Sequence, residues 1–141
     1  DGRLLGLGMD ATEDGSITGM KLSMFDTSDP YDVTEQVTMR VPFDDSEALY
    51  NHKAVLVDTK AGLVGFPVTS WTGSGNSQRY VVYRYADGAF TLEDKLRPQQ
   101  PRDGYGVRGL TLNGDLYIAS SAGVNVYRLD GLDQVAALTL N

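Results

Sequence analysis

Asp10, Thr12 and Asp14 place side-chain oxygens on alternate residues, and Gly15, Ile17 and Thr18 follow at the sixth, eighth and ninth positions of a calcium-loop spacing. Alternate oxygens converge on a hard cation where a glycine permits a sharp turn. The twelfth position, which should carry a bidentate carboxylate, is Lys21. An ammonium there opposes the cation, and Asp14-Gly15 is already explained as a hairpin tip. The expectation is an ordinary tip, with calcium held by Asp10, Thr12 and Asp14 as the alternative and no other cofactor.

His52 is the single histidine and follows Asp44, Asp45, Ser46 and Glu47. Serine, histidine and acid invite a hydrolase reading. Triads are defined by geometry, however, and no Gly-x-Ser-x-Gly turn surrounds this serine. His52 is expected to hydrogen-bond the backbone ahead of the strand that starts at Ala54, or to serve in binding. Thr72 to Asn76 is rich in glycine but lacks the lysine of a phosphate-cradling loop. The acid pairs Asp44-Asp45 and Glu93-Asp94 are expected to be solvated, since glycosidase chemistry needs carboxylates facing each other across a cleft.

Aromatic residues suggest a binding surface instead. Tyr80, Tyr83, Tyr85, Tyr105, Tyr117 and Tyr127 join Trp71 and Phe90, and Tyr83 and Tyr85 share a strand face opposite to Tyr80. The competing reading packs these tyrosines between sheets with their hydroxyls at the rim. Trp71, beside the glycine-rich segment 72–77, is the foremost contact residue, and Tyr83, Tyr85 and His52 complete the expected binding set. No residue is assigned to catalysis.

The elements that must hold these side chains read as strands. Short alternating runs separated by glycines predict strands at 3–9, 18–26, 33–41, 54–58, 63–69, 79–86, 90–97, 107–113, 116–120, 124–129 and 134–140. Asp14-Gly15, Asp87-Gly88 and Asn113-Gly114 carry the turn chemistry of tight hairpins. Segment 72–77 reads as a mobile loop, and one helical turn is expected within 45–51. The strands group into units of three, four and four at 3–41, 54–97 and 107–140, within a single domain spanning 1–141.

Four-stranded antiparallel units recurring about every 40–45 residues are the pattern of β-propeller blades. Three blades cannot close a ring, since closed propellers have roughly four to eight. The fold expected is therefore all-β, a propeller fragment of about three blades with one strand missing from the first. Its open flanks call for self-association or for the remainder of a longer propeller.

Charge and composition narrow the partners. The chain has 141 residues and a net charge of −7, which argues against a nucleic-acid groove or an anionic membrane surface. It has no cysteine, hence no disulfide or thiol chemistry. No apolar run is long enough for a membrane helix, so no membrane insertion is expected.

The segment from Ser46 through Glu47, Leu49, His52 and Lys53 to Ala54, followed by the run to Val68 with Gly65-Phe66-Pro67, forms a recognisable pattern. Leu4 to Gly8, Gly19 to Pro30 and Arg108 to Leu138 extend it. The chain resembles the C-terminal part of the β-propeller domain found in bacterial secreted proteins, a domain distantly related to WD40 repeats. The resemblance implies a secreted or cell-surface location and carries over no catalytic residue. The expected function is a non-catalytic scaffold that binds a protein or glycan; the alternatives are a carbohydrate-active enzyme with acids at the propeller mouth or a calcium-stabilised structural module.

Overall fold

A computed structural model describes residues 2–101 and 104–140. Among these, eleven strands follow in order: β1 (Arg3–Ala11), β2 (Ile17–Asp26), β3 (Thr34–Val41), β4 (Leu56–Asp58), β5 (Leu63–Thr72), β6 (Gly75–Ala86), β7 (Ala89–Leu96), β8 (Arg108–Leu112), β9 (Asp115–Ser120), β10 (Gly123–Arg128) and β11 (Gln134–Thr139). They pair into three antiparallel sheets, β1-β2-β3, β4-β5-β6-β7 and β8-β9-β10-β11. The expected grouping of three, four and four strands is the observed one. Tight turns set the registers: Asp87-Gly88 and Asn113-Gly114 both take positive φ at both residues, the two-residue geometry that matches strand twist.

The helical turn expected in 45–51 is a short 3-10 turn at Glu47–Leu49, followed by another at His52–Ala54. Ser46 caps the first, its hydroxyl accepting from the Ala48 amide at 3.1 Å. Segment 72–77 is a correction, because it is a hairpin rather than a loop. Trp71 pairs with Asn76 and Thr72 with Gly75, so β5 and β6 run on to a two-residue tip. The Thr72 hydroxyl donates to the Gly75 carbonyl at 3.1 Å and closes that tip.

The sheets stack face to face through two apolar layers. Met20, Leu22, Met24 and Val41 of the first blade meet Val64, Phe66, Val68, Val81, Tyr83 and Phe90 of the second. The opposite face of the second blade presents Leu63, Tyr80, Val82 and Leu96 to Val107, Leu116, Ile118 and Tyr127 of the third. Period-2 alternation on β5 and β6 therefore serves two interfaces at once, which is why both strands are apolar on both faces.

Tyr80 shows how closely the second and third blades approach. Its ring crosses Gly65 of β5, where a Cβ would lie 2.8 Å from the ring edge, and its hydroxyl ends where a Cβ on Gly109 of β8 would sit. Only glycine leaves that slot open. The hydroxyls of Tyr80, Tyr83 and Tyr127 are buried without a hydrogen-bond partner among the described residues, not placed at the rim as expected.

Candidate functional site

Strand direction alternates within a blade, so the tip joining its second and third strands lies at the same end as the connections entering and leaving that blade. In the second blade these are the β5–β6 tip, the connection 42–55 and the described residues 97–101 and 104–107. Together they wall a cleft of about 110 Å³, lined by Asp45, Glu47, Tyr50, Thr69, Trp71, Asn76, Gln78, Gln100 and Tyr105. That volume is below the roughly 300–1,000 Å³ of pockets that enclose a drug-sized ligand.

Each wall is fixed by specific bonds. Asp45 and Thr69 form a two-way backbone bridge, 3.2 Å to the Thr69 carbonyl and 2.8 Å to the Asp45 carbonyl. The Ser46 hydroxyl donates to the Pro67 carbonyl at 2.5 Å, and the Trp71 amide donates to the Asp44 carboxylate at 2.8 Å. The far wall is tied across the molecule by Arg108, which donates to both oxygens of Glu47, at 2.7 and 3.0 Å. Glu47 also accepts from the Gly106 amide at 2.9 Å and from the Asn51 amide group at 2.7 Å. Arg108, followed by those two amides, holds the Glu47 carboxyl below the usual glutamate range, against the opposing effect of its burial.

Pairing of Trp71 with Asn76 and of Thr69 with Gln78 places all four on the same sheet face, so the hairpin lays its indole beside two amide side chains. Trp71 is 59% exposed, Tyr50 65% and Tyr105 59%. Partial desolvation and the neighbouring Tyr105, Asp45 and Glu47 push the Tyr50 hydroxyl above its ordinary range. Gln78 donates to the Gly104 carbonyl at 3.4 Å and Gln100 to the Pro98 carbonyl at 3.2 Å. Those bonds orient both side chains and leave their carbonyl oxygens unpaired among the described residues.

Of the residues expected to bind, Trp71 lines the cleft and the other three do not. Tyr83 is a correction: it is buried between the first and second blades, its ring stacked on Phe66 at 5.9 Å between centroids, beyond reach of a surface ligand. Burial pushes its hydroxyl up to about 12. Tyr85 packs on Phe90 at 5.1 Å, takes the Arg3 guanidinium over its ring and donates to Gln36 at 3.3 Å. His52 is exposed, and its carbonyl accepts from the Val55 amide at 3.2 Å.

The residues proposed for calcium are taken up in bonds within the hairpin. Asp10 accepts from the Thr18 hydroxyl at 3.0 Å and pairs with Lys21 at 3.3 Å. Asp14 accepts from the Thr12 hydroxyl. Among the described residues, no three His, Cys, Asp or Glu side chains gather in a way that suits a metal ion. Lys21, at the position that breaks the calcium spacing, is thus occupied with Asp10.

Tyr105 is among the aromatic residues that the sequence offers for a binding surface, whereas Tyr50, Asn76, Gln78 and Gln100 were not singled out by sequence reasoning. A signal for them existed in the strand count, since both inter-blade connections must emerge beside the tip that carries Trp71. No helix of the described residues is long and apolar enough to cross a membrane.

No curated protein and no solved structure matches the chain. The family model of the β-propeller domain matches residues 1–132. That match spans most of all three blades, and the face-to-face sheets are the architecture it describes: the chain belongs to the β-propeller domain family.

Proposed function

We propose that this chain is a non-catalytic scaffold, secreted or displayed at a cell surface, that binds a protein or glycan in the cleft above its second blade. The observation that carries this reading is the convergence of three exposed aromatic rings, Trp71, Tyr50 and Tyr105, from three separate segments around one cleft. Exposed aromatics with a polar edge, set on rigid elements, supply contact area at low entropic cost. The resemblance to secreted propeller proteins supports this location.

The carboxylates around the cleft do not form an acid and base pair. Glu47 is held ionised by Arg108 and has both oxygens occupied, so it is unsuited to donating a proton. Asp44 is engaged by the Trp71 amide. Asp45 remains, and hydrolysis of a glycosidic bond ordinarily calls for two carboxyl groups across the bond.

The test is a binding screen of the immobilised chain against glycans and extracellular proteins, repeated with Trp71→Ala and Tyr105→Ala. Ligand retention by the native chain, lost at least tenfold in both variants at unchanged melting temperature, is the expected result. Turnover of a bound substrate, or retention undiminished in both variants, would overturn the reading.

A further inference from the structure

We infer that the ligand of this cleft is an uncharged oligosaccharide, whose sugar ring lies on the Trp71 indole while its hydroxyls are read by Asn76, Gln78 and Gln100. This rests on the binding reading above and adds the ligand class.

Three features of the lining favour a sugar over a peptide. The first is a flat exposed indole beside amide groups on one sheet face, an arrangement that offers an apolar platform for sugar C–H bonds and polar groups at its edge. The second is the balance of donors and acceptors. An amide side chain both donates and accepts, as a hydroxyl does, so adjacent amides match the adjacent hydroxyls of a sugar. The Asn76 amide and the indole N–H have no partner among the described residues, and the Gln78 and Gln100 carbonyl oxygens are likewise open, so none needs to be freed before a ligand is bound. The third is the lack of a deep apolar pocket for a peptide anchor: Val68 belongs to the interblade core beneath.

Charge selects within the sugars. The acids lining the cleft are Asp45 and Glu47. The Arg108 cation is already paired with Glu47 at 2.7 Å. Arg79, in the adjoining arm of the cleft, donates to the main-chain carbonyl of Gln78 at 2.6 Å. A uronic acid or sulfated sugar would meet the Asp45 carboxylate with no cation among the described residues that line the cleft itself. A net charge of −7 adds a repulsive long-range field.

Trp71 is the only tryptophan in the chain, so its fluorescence reports on this site alone. The experiment titrates the full chain with cellohexaose, chitohexaose, hexagalacturonate, a heparin-derived hexasaccharide and a mixture of uncharged decapeptides, following emission and, for variants, calorimetry. A blue shift with at least one neutral hexasaccharide, with the anionic sugars and peptides at least tenfold weaker, is expected. Gln78→Ala should weaken the neutral sugar about fivefold, and Asp45→Asn should narrow the gap to hexagalacturonate. Trp71→Phe should bind the sugar more tightly than Trp71→Ala, which separates stacking from loss of fold. Stronger binding of the peptides or anionic sugars would overturn this inference and leave the scaffold reading intact. An unmoved Trp71 spectrum with all five probes would overturn the inference; if the glycan and protein screen is also empty, the scaffold reading falls with it.

Discussion

Glu47 and Arg108, 61 residues apart in the chain, form a two-pronged ion pair that fastens the connection between the first and second blades to the opening strand of the third. The Glu47 side chain is only 9% exposed and Arg108 33%. A parallel pair of N–H···O bonds to a carboxylate fixes orientation as well as distance. The same pair holds the wall of the cleft that carries Tyr50 and Tyr105, so the blade stack and the site are positioned by one contact.

Glu47→Ala should cost about 2 kcal/mol, less than the roughly 3–5 kcal/mol of a fully buried pair because Arg108 keeps some contact with water. That corresponds to a melting temperature lower by about 5–8 °C for a domain of this size. The pH dependence has a definite sign. The folded-state pKa of Glu47 lies below its unfolded value, so its contribution is complete above about pH 4.3 and is lost as pH falls through the lowered folded value. The melting-temperature gap between the native chain and Glu47→Gln should therefore shrink as pH drops from 5 to 3. A gap that stays constant over that range would mean that the pair does not form in solution.

Tyr80 makes the opposite kind of prediction. Its hydroxyl is buried without a partner among the described residues, and burial holds its pKa well above the ordinary range. Removing an unsatisfied buried hydroxyl is neutral or favourable, so Tyr80→Phe should change stability by less than about 1 kcal/mol or raise it. Gly109→Ala puts a methyl group into the slot that the hydroxyl fills and should destabilise by about 1–3 kcal/mol. Urea unfolding of both variants measures this, and a large loss in Tyr80→Phe would contradict the packing described.

The blades were legible because most strands alternate in period two and several of the tight turns carry Asp-Gly or Asn-Gly. Both signals are local. The extension of β5 and β6 to their tip was not legible, since glycine, serine and threonine between 72 and 77 look like a loop until Trp71 is seen paired with Asn76. Tyr83 and Tyr80 illustrate a further limit: alternation puts them on opposite faces, but which neighbouring sheet covers each face is a property of the stack. Trp71 stood out by its place beside that segment. Gln78 joins it through the β5–β6 register, whereas Gln100 and Tyr105 join it only through the path of the chain between blades, which no local pattern encodes.

The two flanks of the stack differ in chemistry. The outer face of the third blade aligns Leu110 with Tyr117, Tyr117 with Val126 and Val124 with Leu138, and all three leucines on that face, including Leu112, are exposed. The outer face of the first blade pairs Lys21 with Arg40 and Ser23 with Thr38. Apolar surface of that kind favours association. The chain should therefore self-associate through its third blade, and Leu112→Glu with Leu138→Glu should reduce the mass seen by sedimentation equilibrium toward one chain. Lys21→Glu should leave that mass unchanged; a double-glutamate variant with the native mass would contradict this.

The most direct test of the account is a nuclear magnetic resonance titration of the labelled full chain with the best neutral hexasaccharide. The side-chain N–H signals of Trp71, Asn76, Gln78 and Gln100 should shift together along one saturation curve, while the signals of β10 and β11 stay in place. Shifts gathered on the third blade's outer face, or spread without saturation, would contradict a ligand site in the cleft above the second blade.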